Sequence, residues 1–282
     1  MTDGHQHALR ALLAFYQEAG VDDLIGEDPI DRLTQVQAPR AASLQRIVAS
    51  GPAPRNASFG LSSPPRNAAP APSPRSAPPI SPETAAMAAR EAARGAGSLE
   101  ELRKILLGFE GCALRATATQ LVFADGNPEA RVMFVGEAPG RDEDIAGLPF
   151  VGRSGKLLDR MLAAIGLDRQ SAYIANIVPW RPPGNRTPTP QESAICLPFT
   201  LRQIELADPD ILVCLGNPST QTLLNTREGI TRTRGRWFAF HTGAREIRAI
   251  PTFHPAYLLR TPIAKREAWR DFLMIRKALS ER

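Results

Sequence analysis

Residues 131–144 read RVMFVGEAPGRDED, and this stretch carries the pattern that decides the fold. A short apolar run, typical of a buried strand, ends in a Gly-Glu-Ala-Pro-Gly turn that is followed at once by an arginine and three acids. A glycine turn after a strand is a common place for a phosphate, but carboxylates would repel one. The spacing also matches neither G-x-G-x-x-G nor G-x-x-x-x-G-K-[ST]. The sequence therefore predicts an acidic site at a strand end and disfavours an enzyme that binds a nucleotide's phosphates.

Apolar, β-rich runs recur on the C-terminal side of this stretch and alternate with helical patterns. The runs are RVMFVG, AYIANIV, DILVCLG and REIRAIPTF, and the patterns between them include GKLLDRMLAAIG, QESAICLPFTLRQIELA and NPSTQTLLN. Such alternation predicts an α/β fold with a parallel sheet, whose ligands bind beyond the carboxyl ends of the strands. The segment ITRTRGRWFAF predicts a strand or hairpin inserted before the last run.

The N-terminal part of the chain has a different composition. Residues 1–36 are predicted to be a helical segment, because apolar residues recur at helical spacing within HQHALRALLAFYQEAG. Residues 37–80 are predicted to be a disordered linker, since Gly51 to Pro82 hold ten prolines and no acid. Residues 81–282 are predicted to be the catalytic domain, with helices that begin at Ser81 and Ser98. We expect the N-terminal helix to bind a partner protein.

Bulk properties exclude several classes of protein. The chain has 282 residues and a formal charge of +5, and 30 of its 34 basic residues are arginine, which permits an anionic partner. No apolar stretch approaches the ~20 residues of a membrane span, and MTDGHQHALR does not have the pattern of a signal peptide. Three cysteines cannot form a disulfide framework, so we predict a cytoplasmic protein.

Single residues at the predicted strand ends suggest hydrolysis. Glu137 could orient or activate a water or face a developing cation, and His254 could donate a hydrogen bond to a developing oxyanion. Asn176 ends an apolar run, where a buried amide can recognise the edge of a base. Phe150 could stack on a ring, although core packing is the more common role of a phenylalanine. A structural role is the more common one for a single Glu or His, but a cluster at one sheet edge favours a functional site.

Two further motifs suggest contacts with a nucleic acid. Gly152 and Gly155 open a predicted helix, where free backbone amides could hold one phosphate, although turn glycines are common. In HPAYLLR, Leu258 and Leu259 stand beside Arg260, which suggests an apolar wedge with a phosphate clamp. Core packing is the alternative role for the leucines.

The order of the motifs GEAPGRDEDIAGLPFVGRSG, NIVPWRPPGNRTPTP and TFHPAYLLR closely resembles the family 4 uracil-DNA glycosylases over roughly residues 108–280. The resemblance implies a three-layer α/β/α sandwich around a four-stranded parallel sheet. It also implies excision of uracil from DNA by hydrolysis of the N-glycosidic bond, which leaves an abasic site and initiates base excision repair. The alternative is a catalytically weak or product-trapping uracil-DNA-binding protein of the same fold. The trapping subgroup, however, carries a histidine in a basic loop where this chain reads GNRTPTP.

The resemblance also implies roles for individual residues. Glu137 matches the water-activating acid, Glu143 the second acid that follows it, and His254 the histidine that stabilises charge on the leaving base. The expected substrate-binding residues are Ala138, Phe150, Asn176 and Asn185. The expected DNA-binding residues are Gly152, Arg153, Ser154, Arg186, Leu258, Leu259 and Arg260, with the two leucines as the wedge.

The chain departs from the family at the [4Fe-4S] cluster, which typical members hold on four cysteines. The matching positions here are Phe109, Cys112, Trp180 and Cys196, so two of the four ligands are aromatic. A cluster needs four good ligands, and we therefore predict neither a cluster nor another cofactor or metal. We further predict a monomer that acts on single- or double-stranded DNA containing uracil.

Overall fold

The computed structural model describes residues 81–281. The segments predicted as an N-terminal helix and a linker, residues 1–36 and 37–80, lie outside the described residues, and both stay predictions. Within residues 81–281, no helix has the length and apolar character that a membrane span requires.

Nine α-helices and six strands make up the described part of the chain, joined by loops and three short 3₁₀ turns. The helices are α1 (Pro82–Arg94), α2 (Leu99–Gly108), α3 (Arg141–Ala146), α4 (Arg153–Ala163), α5 (Pro190–Ala207), α6 (Asn217–Leu224), α7 (Ile230–Thr233), α8 (Pro255–Arg260) and α9 (Lys265–Ser280). The strands are β1 (Asp125–Gly126), β2 (Val132–Gly136), β3 (Tyr173–Asn176), β4 (Ile211–Leu215), β5 (Phe238–His241) and β6 (Glu246–Thr252). Each of the four apolar runs forms a strand, as predicted.

The strands form one sheet in the order β1-β3-β2-β4-β6-β5. The four central strands are parallel, which confirms the predicted parallel core, but β1 and β5 add an antiparallel strand at each edge. The sheet therefore has six strands where the resemblance implies four. A strand of two residues such as β1 has no periodicity to detect in the sequence. The segment ITRTRGRWFAF divides into helix α7 and strand β5, which forms the predicted hairpin with β6.

Alternate residues of the strands face two separate apolar cores, because strand side chains point to opposite faces. Met133 and Val135 pack in one core with helices α1, α2 and α5. Val132 and Phe134 pack in the other core with helices α4 and α9. Strands β2 and β4 are buried along their whole length, as expected for a parallel sheet covered on both faces. The three-layer α/β/α arrangement is confirmed.

Helices α1 and α2 begin at the predicted residues, because side-chain oxygens accept hydrogen bonds from free backbone amides there. The Ser81 hydroxyl accepts from the amide of Thr84 at 3.2 Å, with Pro82 in the first helical turn. The Ser98 hydroxyl accepts from the amide of Glu101 at 3.2 Å. The carboxylate of Glu101 accepts from Gly97 at 2.7 Å, one residue before the position that a capping box requires.

The topology places a crevice at the carboxyl ends of β2 and β4. Strand β3 lies next to β2 on one flank, and β4 lies next to β2 on the other flank. The connections that leave the carboxyl ends of β2 and β4 therefore run in opposite directions. Ligands of open α/β sheets bind at such a point. Gly136 pairs with Asn176 at the ends of β2 and β3, which brings Glu137 and Asn176 close together.

Candidate active site

A cavity of about 570 Å³ occupies this crevice. Its walls come from the segments that follow four parallel strands, so residues far apart in sequence meet at one edge. The lining includes Glu137, Ala138, Asn185, Arg186, Thr187, Gly216, Phe253, His254, Tyr257 and Arg260. Six of the predicted site residues therefore line one cavity at the carboxyl ends of the strands, as the strand pattern predicted. They are Glu137, Ala138, Asn185, Arg186, His254 and Arg260.

Glu137 is the partly buried acid that directly follows β2. Its Oε1 atom is buried and has no hydrogen-bond partner. Burial raises the pKa of the Glu137 carboxyl above its ordinary value, and a hydrogen bond with Thr187 opposes that rise. A desolvated carboxylate with one free oxygen can orient a water and accept its proton. Thr187 was not selected from the sequence, although its neighbours Asn185 and Arg186 were, because a threonine in a polar loop has no distinctive signal of its own.

Asn176 ends β3 and is 4% exposed, and its amide oxygen Oδ1 is also buried without a partner. A β-carbon on Gly136 would lie 2.5 Å from this oxygen and 2.6 Å from Cζ of Phe150. The absent side chain at Gly136 therefore leaves room for both groups. An unpaired buried acceptor costs free energy unless a ligand supplies a donor, which makes Asn176 suited to the edge of a base.

Phe150 is buried, and its backbone adopts a left-handed conformation with φ of 56°. Two residues hold this strained backbone. The guanidinium of Arg169 donates to the carbonyl oxygens of Pro149 and Phe150. Gly155 of α4 passes so close that a β-carbon there would lie 1.7 Å from the Phe150 carbonyl oxygen. Strain of this kind persists only where surrounding contacts enforce it, and it is common at binding sites. Arg169 has no sequence signature and was missed.

His254 caps helix α8, and its Nδ1 atom accepts a hydrogen bond from the amide of Ala256 at 3.1 Å. Burial, and then the charge of Arg260, lower the pKa of His254 to about 4, so the ring is neutral at pH 7. A neutral ring that accepts at Nδ1 carries its proton on Nε2 and can donate it to a ligand. The ring centroid lies 5.4 Å from that of Phe150. Gly216, with φ of 89°, lets its backbone lie close to His254. A β-carbon on Gly216 would lie 2.9 Å from Cβ of His254.

Glu143 is buried, and backbone amides occupy both of its oxygens. Oε2 accepts from Gly140 at 3.1 Å, and Oε1 accepts from Val151 at 3.1 Å and from Gly152 at 2.9 Å. The side chain therefore links the turn after β2 to the start of α4. Both oxygens of Glu143 therefore have partners, in contrast to Oε1 of Glu137.

Two predicted residues of the loop after β3 are tied to other side chains. Asn185 has a left-handed backbone with φ of 55°, and its Oδ1 accepts from Nε of Arg181 at 2.6 Å. Arg186 makes two hydrogen bonds to Glu192, of 2.8 and 2.7 Å, and this pairing lowers the pKa of Glu192 to about 2. The charge of Arg186 is thus already paired in this structure.

The remaining predicted DNA contacts lie at the start of α4 and in the second half of α8. Gly152 is buried, Arg153 is exposed and Ser154 is half-buried at the start of α4. The two leucines of α8 differ sharply, because Leu258 is 1% exposed and Leu259 is 37% exposed. Leu258 packs in a small core with Phe253, Ala264 and Ala268, and it cannot enter DNA without unfolding that core. The prediction that both leucines form the wedge is therefore wrong for Leu258, and a wedge role for Leu259 stays a prediction.

The residues at the family's cluster positions do not fit an iron-sulfur cluster. Cys112 and Cys196 are buried with their sulfurs 3.9 Å apart, but the other two positions supply no sulfur. Phe109 packs edge-on against Phe199 at 5.0 Å, and Trp180 is 2% exposed. Across residues 81–281, His, Cys, Asp and Glu form no group of three that could hold a metal ion. Two thiols and two aromatic rings cannot replace four thiolates.

The fold and the crevice define an α/β protein whose cavity holds the carboxylate of Glu137 and the ring of His254, with the buried amide of Asn176 at the end of the neighbouring strand. The uracil DNA glycosylase superfamily model matches residues 123–273. The chain is 40% identical to the type-4 uracil-DNA glycosylase of Archaeoglobus fulgidus over 182 residues, which are 63% of this chain and 92% of that protein. It is 45% identical to the Thermotoga maritima enzyme of the same name over 150 residues, 53% of this chain and 77% of that protein. The chain belongs to the uracil-DNA glycosylase superfamily and, within it, to the type-4 family.

Proposed function

We propose that the protein flips uracil out of DNA and hydrolyses its N-glycosidic bond, which leaves an abasic site and initiates base excision repair. The observation that carries this proposal is the pair of buried, unpartnered oxygens of Glu137 and Asn176 at the ends of the neighbouring strands β2 and β3. One oxygen suits a water beside the sugar, and the other suits the N3–H group of uracil. A base inside a duplex cannot reach such a crevice, so it must first rotate out, at a cost of a few kcal/mol.

The reaction breaks the C1′–N1 bond and places positive charge on the sugar and negative charge on uracil. Glu137 stabilises the cationic sugar and accepts a proton from the water that bonds to C1′. The neutral ring of His254 donates from Nε2 to a uracil oxygen as its charge grows. Because the pKa of His254 is lowered to about 4, this donor stays neutral throughout the physiological pH range.

The remaining residues hold the base and the loops. Asn176 accepts from N3–H and donates to O4, which disfavours cytosine because the exocyclic amine would face a donor. Phe150 stacks on the ring, beside His254. Ala138 and Asn185 line the cavity around the base. Glu143 acts as a positioning residue, since its three amide contacts fix the turn that carries Glu137.

Contacts with the DNA strand surround this crevice. The amide of Gly152, predicted to be free for a phosphate, already donates to Glu143, so the phosphate contacts fall to Arg153, Ser154 and Arg260. Arg186 contributes once its pairing with Glu192 gives way to a phosphate. Leu259 fills the gap that the extruded base leaves in the stack.

The enzyme works without an iron-sulfur cluster, in contrast to typical members of its family. The support for this proposal is the set of side chains at the ligand positions, because Phe109 and Trp180 occupy two of the four with apolar packing.

The protein acts as a cytoplasmic monomer, and the three free cysteines are consistent with a reducing compartment. The N-terminal helix as a site for a partner protein stays a prediction.

One gel assay tests the function. A uracil-containing oligonucleotide is incubated with wild type, Glu137→Gln or His254→Ala and is then cleaved with alkali. We expect wild type to give the alkali-labile product, and each variant to react about 100- to 1,000-fold more slowly. Glu100→Gln is the matched control, because Glu100 is an exposed acid of α2 that pairs with Lys104. No alkali-labile product from wild type would defeat the proposal, and a stable protein–DNA adduct would favour the product-trapping alternative.

A further inference from the structure

A second groove lies between helices α4 and α9, outside the crevice. It encloses about 210 Å³, and its walls are almost entirely apolar. Leu157 and Met161 of α4 and Trp269 and Phe272 of α9 line it, and Leu258 closes its floor. Its volume is below the roughly 300–1,000 Å³ of pockets for drug-sized ligands, so it suits a single flat ring.

Exposed cations flank the groove on both sides. Lys156 and Arg160 are one turn apart on α4, and Lys265 stands one turn before Trp269 on α9. Within the described part of the chain, these three cations form no salt bridge. Trp269 is 41% exposed, which is unusual for so large an aromatic side chain on a globular surface.

The acids of the same two helices pair with arginines elsewhere and leave the groove with charge of one sign. Asp159 of α4 pairs with Arg169 at 2.9 Å. Asp271 and Glu267 of α9 both pair with Arg234. The cations at the groove are therefore free to attract an anion. An exposed indole between unpaired cations is the combination that binds single-stranded nucleic acid, in which bases stack and phosphates are neutralised.

One short helix borders both the groove and the proposed active site. Helix α8 begins at His254 and places Leu258 in the groove floor. Helix α4 begins at Arg153 beside the crevice and reaches Arg160 about 10 Å further along its axis. A DNA strand that leaves the crevice along α4 therefore reaches the groove within a few nucleotides.

We propose that this groove binds the single-stranded DNA that flanks the uracil, with one unpaired base stacked on Trp269 and its phosphates on Lys156, Arg160 and Lys265. The inference rests on the proposed function and adds to it a second contact surface for single-stranded DNA. A substrate too short to reach the groove loses these contacts but keeps the active site, so the gain appears in KM and not in kcat.

The test compares single-stranded oligonucleotides of 15 and 5 nucleotides, each with a central deoxyuridine, over a series of salt concentrations. The triple variant Lys156→Ala/Arg160→Ala/Lys265→Ala should reduce the slope of log kcat/KM against log salt by about 2 on the longer substrate, at ~0.7 per phosphate. The control triple Arg90→Ala/Arg94→Ala/Arg103→Ala removes the same charge from helices of the opposite layer. It should leave the slope close to that of wild type.

A second pair of variants tests the stacking contact. Trp269→Ala should raise KM for the longer substrate about ten-fold, while Trp269→Phe, which keeps an aromatic ring, should stay within about two-fold of wild type. The side chain is exposed, so both variants should fold. Equal salt slopes for the two triples, or a wild-type KM for Trp269→Ala, would overturn the groove proposal. Wild-type protein that excises no uracil from either substrate would instead defeat the proposed function.

Discussion

At the scale of single residues, glycines decide the geometry of the active site. Gly136, Gly155 and Gly216 each stand where a β-carbon would collide with Asn176, Phe150 or His254. Of the three, only Gly216 has a positive φ. Gly136 and Gly155 are therefore needed because a neighbouring group lies close to them, and not because of their backbone conformation. The polar groups supply the chemistry, and the glycines give them the distances at which it works.

Gly136→Ala should reduce uracil excision about 100-fold or more. The added methyl would lie 2.5 Å from the oxygen of Asn176 and 2.6 Å from Phe150, and displacement of reacting groups by about 1 Å has costs of this size. The measurement is kcat/KM on a single-stranded uracil oligonucleotide. Gly108→Ala is the control, because a β-carbon on Gly108 at the end of α2 meets nothing within 4 Å. Wild-type excision by Gly136→Ala would show that this crowding has no catalytic consequence.

At the scale of elements, helix α8 separates two neighbouring leucines. Successive residues of a helix are about 100° apart, so one of two adjacent side chains can face the core while the other faces solvent. Leu258 faces Phe253 and Ala268, and Leu259 faces solvent beside the crevice. We therefore expect the wedge role suggested by HPAYLLR to fall on Leu259 alone.

Leu258→Ala and Leu259→Ala should fail in different ways. Leu258→Ala leaves a cavity in a core and should reduce the free energy of unfolding by about 2–5 kcal/mol. Leu259→Ala should change it by less than about 0.5 kcal/mol but lower excision from double-stranded DNA about ten-fold relative to single-stranded DNA. Denaturant unfolding measures the free energy of unfolding, and excision assays on double- and single-stranded DNA measure the ratio of the two activities. A large loss of stability for Leu259→Ala, or none for Leu258→Ala, would contradict this assignment.

At the scale of the whole molecule, the two faces of the sheet have different surroundings. The face covered by α1, α2 and α5 contains Cys112, Trp180 and Cys196 within a continuous apolar core. The other face is covered by α4 and α9, which carry the groove that we propose for single-stranded DNA. Apolar packing fills the first face at the positions where members of the type-4 family usually hold a cluster.

Metal analysis tests the proposal that the protein works without an iron-sulfur cluster. Anaerobically purified wild type should contain well under one iron and one acid-labile sulfide per chain, because two of the four ligand positions are aromatic. The double variant Phe109→Cys/Trp180→Cys restores four cysteines and should gain iron and sulfide on reconstitution. About four iron atoms per wild-type chain would refute the proposal.

The amino-acid sequence by itself determined the parallel core, its helices and the edge at which the site lies. Strand and helix periodicity is a local property, and the carboxyl ends of parallel strands must meet at one edge. It also indicated Glu137, Asn176 and His254, because polar residues that end apolar runs are visible in the chain. Only the tertiary structure decided that Leu258 is core, that Glu143 is occupied by amides and that Arg169 supports Phe150. Burial and pairing depend on neighbours from distant segments, and local sequence carries no record of which segments become neighbours.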